Sequence, residues 1–194
     1  MPRRSQEERT RSTRSALTTA ARDLFASRGY ASVSTDEIVR AAGVTRGALY
    51  HHYADKQALF RDVFERLEAE ITDEISAVFA ASPDHLTAMA AGVTRFLDTC
   101  QRPEVLRICL TDAPAVLGWS LWREIEAQHG LRLITTKLSA AVADRLISTP
   151  SVPALAQLLL SAVIESALMI ANGADRDTTQ QALTTLLLGL VRKD

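Results

Sequence analysis

One stretch constrains this chain more than any other: Ser34 to Lys56, STDEIVRAAGVTRGALYHHYADK. It reads as two short helices joined by a tight turn. Thr35 stands where a cap is needed, and Asp36 and Glu37 suit a first turn whose N–H groups are exposed. Ile38, Val39, Ala41 and Ala42 give that helix a small apolar face. Gly43 ends it, because glycine enters the left-handed region without a Cβ penalty. Val44 then tucks between the helices, and Thr45 caps the second. From Arg46 to Tyr53 the sequence is RGALYHHY, with no acidic residue. A helix, a glycine turn and a donor-rich helix fit a helix-turn-helix that reads DNA. Arg46 offers a fork to guanine, and Tyr50, His51 and His52 can donate to phosphates or bases; a solvated helix face is the plainer reading of the two histidines. Adjacent histidines point about 100° apart on a helix, so they do not share a metal ion.

Charge follows the motif. Through Lys56 the chain carries ten Lys and Arg against six Asp and Glu, a surplus of four; the remainder carries twelve against seventeen, a deficit of five. The basic excess therefore sits where phosphate contact would need it. The arginines of the leading segment, Arg3, Arg4, Arg9, Arg11 and Arg14, read as a disordered arm. Such an arm lies on phosphate, enters a minor groove or serves as a solubilising tail.

The remaining periodicity is helical throughout. Helix one is expected from near Arg11 to Arg28, and helix four from a cap at Asp55 to about Phe79. Ser82, Pro83 and Asp84 break the chain between head and second part. A helix from Asp84 to Cys100 follows, and a short one from Pro103 to Leu110. Thr111 to Gly118 reads as a loop around Pro114. A long helix from Ser120 to Ile147, imperfect at Gly130, and two apolar helices, Ala154 to Ala171 and Thr178 to Val191, complete the chain. The fold class is all-α, with residues 1–54 as arm and DNA-binding head and residues 55–194 as a second helical domain. With apolar residues at 47% and charged residues at 23%, the composition is ordinary for a globular protein. No run of 18 uninterrupted apolar residues appears, so no membrane span is expected, and the polar N-terminus does not read as a secretory leader. A cytoplasmic location and reduced thiols at Cys100 and Cys109 follow. No catalytic triad order, metal cluster or nucleotide loop is readable, so neither an enzyme nor a cofactor is expected.

From Gly43 to Phe60, GVTRGALYHHYADKQALF resembles the signature of the TetR family of bacterial transcriptional regulators. The likeness extends upstream through AARDLFASRGYASVSTDEIVRAAG, from Ala20 to Gly43, and rests on G-Y, A-G-V, L-Y-x-x-Y and K-x-x-L-F in one run. It implies that Thr45, Tyr50 and Lys56 touch the phosphate backbone and that Arg46, Gly47 and His51 lie where base edges are read. Thr35 and His52 complete the expected DNA-binding set, and Tyr53 is expected inside the head. The resemblance also implies a two-fold dimer built on the last two helices; burial in a monomer core is the other reading of that apolar surface. Leu155, Leu158, Ala162, Ser166, Leu183, Leu187 and Leu190 are the interface candidates.

For a regulator of this kind the middle helices would enclose a small-molecule effector. Phe96, Cys100, Cys109, Trp119, Trp122, Arg123, Glu165 and Met169 are the candidates to touch it, and such a lining suits a lipophilic or aromatic molecule. Glu165 attracts notice because an acid inside an apolar helix is costly unless paired. The expected partners are thus an operator in double-stranded DNA, a small effector and a second copy of the chain. An architectural DNA binder without an effector is the alternative.

Overall fold

The computed structural model describes residues 6–191, all helix and connections, with no strand among the described residues. Two compact units divide the chain. The first takes residues through Leu67 together with Pro103–Trp122; the second takes Glu68–Arg102 and the residues from Arg123 onward.

In the first unit, α1 spans Gln6–Arg28 and starts earlier than the sequence pattern suggested, with Glu7 and Glu8 suiting its first turn. Arg9, Arg11 and Arg14 consequently stand on a helix, not in an arm; Arg3 and Arg4 lie outside the described residues. Leu17, Ala21 and Phe25 are buried on the inner face of α1. Gly29, at φ 78°, ends it. Tyr30 then turns its ring toward Phe25 and Phe60, at centroid separations of 5.6 and 5.1 Å.

Helix α2 spans Thr35–Ala41, and its cap is Ser34, not Thr35. The Ser34 hydroxyl accepts from the Glu37 N–H, and the Glu37 carboxylate accepts from the Ser34 N–H at 2.9 Å, a reciprocal capping box. Thr35 is already helical. Gly43, at φ 66°, makes the turn, and Thr45 caps α3, Arg46–His52, by accepting from the Ala48 N–H at 3.2 Å. Helix α4, Lys56–Ala81, starts where Asp55 accepts from the Ala58 N–H at 2.7 Å, as expected. Its first turns bury Leu59, Phe60, Val63, Phe64 and Leu67.

The same unit holds a short α6 (Pro103–Val105), a π-helical segment (Leu106–Asp112) and α7 (Ala113–Leu117). The loop expected from Thr111 to Gly118 is therefore helical up to Leu117. Pro114 falls in the first turn of α7, directly after the π-helical turn. The wider π turn buries Ile108 and Cys109 together.

The second unit begins with the remainder of α4 and with α5, His85–Cys100, capped by Asp84. The expected long helix near 120–147 is two helices, α8 (Trp119–Gln128) and α9 (Gly130–Ala143), parted at His129. Helix α10, Val152–Ala171, is capped by Ser151, and α11, Arg176–Leu188, by Asp175. Helix α10 packs against α5, α9 and α11. Leu138, Ala141, Ile147 and Ala156 form a buried cluster, with Leu155, Leu159 and Leu190 packed on it. Helix α10 is long and apolar enough to cross a membrane by composition, with a mean hydropathy of 1.9. Here its inner side packs against three helices of its own unit, while Leu158 and Met169 on its outer side are exposed.

Candidate nucleic-acid interface

Helix α3 is held from within and open outside. Leu49 is fully buried and Tyr53, directly after the helix, is buried as expected. Tyr53 Oη donates to Asp62 Oδ2 at 2.5 Å, and Arg14 donates to the same phenol oxygen at 3.2 Å and to Asp62 Oδ1 at 3.0 Å. Three segments of the head are joined through this one carboxylate. Burial, and then the bond to Asp62, push the Tyr53 phenol up to about 12. Burial alone would raise the Asp62 carboxyl; hydrogen bonds from Tyr53, Arg66 and Arg14 outweigh it and hold the group below its ordinary value.

The outer face of α3 presents Arg46, Gly47, Tyr50 and His51, all exposed. A Cβ at Gly47 would meet only Thr45 Oγ1, at 3.9 Å, so the surface there is open to close approach. Tyr50 is 45% exposed despite its size. The Arg46 guanidinium lies 5.6 Å from the Tyr50 ring centroid, and Arg46 Nη1 donates to Asp36 Oδ1 at 3.1 Å. Hydrogen bonds from Arg46 and Thr35 hold the Tyr50 phenol below its ordinary value. Thr35, Asp36, Arg46 and Tyr50 therefore form one surface cluster across the α2–α3 turn. His52 is half-buried, with its imidazole lowered by burial and by the neighbouring His51 and Arg14 charges.

Lys56 is oriented differently from a free phosphate ligand. Its ammonium donates to the carbonyls of Tyr30 and Val33 at 2.9 and 2.8 Å and lies 4.0 Å from the Tyr30 ring centroid. Burial lowers its pKa. The side chain pins the turn between α1 and α2, and no sequence pattern signals two backbone acceptors. The capping box at Ser34 and Glu37 and the Asp62 hub also escaped the sequence reading; the first was legible as S-x-x-E.

Polar clasps hold the 103–117 segment to the head. Arg22 donates to both oxygens of Glu104 at 2.8 and 2.9 Å, the Tyr30 N–H donates to Asp112 at 2.7 Å, and Gln57 donates to the Val116 carbonyl at 2.5 Å.

The residues assigned to an effector do not share one environment. Cys100 and Cys109 are buried, the first in the second unit and the second on the π segment of the first. Burial pushes the Cys100 thiol up, which keeps it protonated. Trp122 is buried, and Trp119, at 5.1 Å between rings, is 69% exposed. Phe96 is half-buried. Arg123 pairs at 2.7 Å with Glu126, whose carboxyl burial raises. Glu165 and Met169 lie on the exposed face of α10, so Glu165 is not a buried acid within the chain.

The interface candidates divide likewise. Leu183 and Leu187 are buried inside the unit, Leu155 and Leu190 pack on its core, and the buried Ser166 donates to the Ala162 carbonyl. Ala162 is half-buried, and Leu158 alone of the set is exposed. The outward apolar residues of these two helices are Leu158, Met169, Leu186 and Leu188. On α10 the exposed Ser161 and Glu165, four residues apart, share the outward face with Leu158 and Met169. Among the described residues no cluster of His, Cys, Asp and Glu could hold a metal ion.

Comparison with known proteins bears on both parts of the chain. Residues 17–63 match the family described as bacterial regulatory proteins, tetR family, and residues 86–193 match the tetracyclin repressor-like C-terminal domain. The HTH-type transcriptional regulator AcrR of Shigella flexneri is 40% identical over 86 residues, covering 43% of this chain and 40% of AcrR. The transposon Tn10 TetC protein of Escherichia coli is 30% identical over 141 residues, covering 71% of this chain and 67% of TetC. A solved TetR-family regulator from Pectobacterium atrosepticum superposes with a TM-score of 0.81 at 30% identity, covering 98% of this chain and 99% of that one. RolR, solved in complex with resorcinol, superposes with a TM-score of 0.75 at 16% identity, covering 96% and 90% of the two chains.

Proposed function

The chain belongs to the TetR family of bacterial transcriptional regulators, and from that premise we propose that it is a homodimeric repressor released from a palindromic operator by a small lipophilic or aromatic effector. The observation that carries the reading is the exposed donor face of α3, capped by Thr45 and anchored by Leu49 and Tyr53. Arg46, Gly47 and His51 read base edges, while Thr45 and Tyr50 bind phosphates, with His52 at the margin. Lys56 contributes mainly by fixing the turn that leads into α2. Leu158, Met169, Leu186 and Leu188 are the apolar surface that a second copy covers, which sets two recognition helices on one palindrome.

The effector is assigned to the second domain, with Phe96 on α5 and the Arg123–Glu126 pair on α8 as its contacts. RolR's resorcinol supports a small aromatic molecule. Its binding shifts the population of head conformations, and the clasps at Glu104, Asp112 and Val116 carry the shift to α1, to the α1–α2 turn and to the start of α4 respectively. Selection of binding sequences from a random duplex pool tests the reading: the full-length protein should enrich an inverted repeat. Enrichment of no sequence would refute it.

A further inference from the structure

Arg46 is engaged within the reading motif itself. Its guanidinium Nη1 lies 3.1 and 3.4 Å from the two Asp36 oxygens, with both side chains more than half exposed. The same guanidinium sits beside the Tyr50 ring. Asp36 belongs to α2 and Arg46 to α3, so the pair bridges the two helices of the reading motif. The carboxylate holds Arg46 through Nη1 alone, which leaves the donors on Nε and Nη2 that Asp36 does not use.

We infer that Asp36 is a specificity-determining positioning residue, holding Arg46 by one nitrogen so that its remaining donors serve a neutral base edge in preference to a phosphate. This rests on the reading of α3 as the DNA-contacting helix. The O6 and N7 of a guanine are neutral acceptors that the carboxylate beside Arg46 does not repel, whereas loose binding to a scrambled sequence relies on anionic phosphate oxygens that it does repel. The acid also repels the phosphate backbone wherever Arg46 is not well satisfied. Asp36 thus penalises loose binding more than correct binding. It touches no base itself; it acts through Arg46.

A double-mutant cycle on full-length protein separates this from simple charge removal. Asp36→Asn, Arg46→Ala and the double variant are measured against two duplexes across a salt series: one enriched from a random pool by the wild type, and one of the same composition scrambled. On the scrambled duplex, Asp36→Asn should tighten binding about two- to fivefold more when Arg46 is present than when it is alanine, the range of an exposed ion pair. The ratio of enriched to scrambled affinity should fall by a similar factor. Asp36→Ser, which keeps a short oxygen acceptor at the start of α2, should behave the same way. Equal tightening in both Arg46 backgrounds, or a ratio that holds or rises, would overturn the inference while leaving the regulator reading intact. Wild-type protein that binds neither duplex at low salt would overturn both.

Discussion

Arg22 on α1 grips Glu104 through both carboxylate oxygens, at 2.8 and 2.9 Å, across 82 residues of sequence. Both side chains are less than one-third exposed. A paired, forked contact of this kind is stronger than an ordinary surface ion pair. Glu104→Gln should therefore lower the unfolding free energy by about 1 kcal/mol. Urea denaturation followed by circular dichroism measures it, and an unchanged midpoint would show that the clasp contributes no stability.

The acid limb of stability should depend on Glu37. Hydrogen bonds from the Ser34 N–H, Arg28 and the Ser34 hydroxyl bring its carboxyl from 4.5 down to about 2. A group whose folded pKa lies below its unfolded value gives stability that is present above the unfolded value and lost as pH falls. The loss should run from about pH 4.5 to about pH 2. Glu37→Gln should make that limb shallower; thermal melts at several acid pH values would expose an identical limb if the capping box were irrelevant.

The helix-turn-helix was legible because local chemistry decides it. Gly43 takes positive φ, Thr45 caps α3 and Tyr53 is buried, each readable from residue type and spacing. The cap of α2 was misplaced by one residue because Ser34 and Thr35 both suit the role; Glu37, three residues on, selects Ser34. Pro114 suggested a loop but falls in the first turn of α7, directly after the π-helical turn. Which side of α10 faces inward was legible only through Ser161 and Glu165, four residues apart on its exposed face, since the rest of the helix is almost wholly apolar. Pairings such as Arg22 with Glu104, or Arg14 with Asp62, depend on tertiary approach and leave no local pattern.

Two glycines with the same backbone hand should respond alike to substitution. Gly43, at φ 66°, faces open space, so Gly43→Ala should cost only the left-handed strain, about 1 kcal/mol. At Gly29, φ 78°, a Cβ would meet the Arg107 guanidinium, the far end of a half-exposed side chain that can swing into solvent. Gly29→Ala should therefore also cost about 1 kcal/mol, set by the same strain. Comparing the melting temperatures of the two variants tests this; a much larger loss at Gly29 would show that Arg107 does not give way.

Leu158 is 68% exposed and Leu186 is 62% exposed, on the two helices assigned to the dimer. Leu158→Asp together with Leu186→Asp should shift the protein from dimer to monomer in light scattering, with little change in helix content. A variant that stays dimeric would move the interface elsewhere.

The most direct test of the account is a mobility-shift titration of the DNA flanking this protein's own gene, across a salt series, with Arg46→Ala and Tyr50→Ala beside the wild type. The account predicts tight binding of one fragment by the wild type, weakening steeply with salt and lost in both variants. Unaltered binding by both variants would contradict the assignment of α3 as the helix that reads DNA.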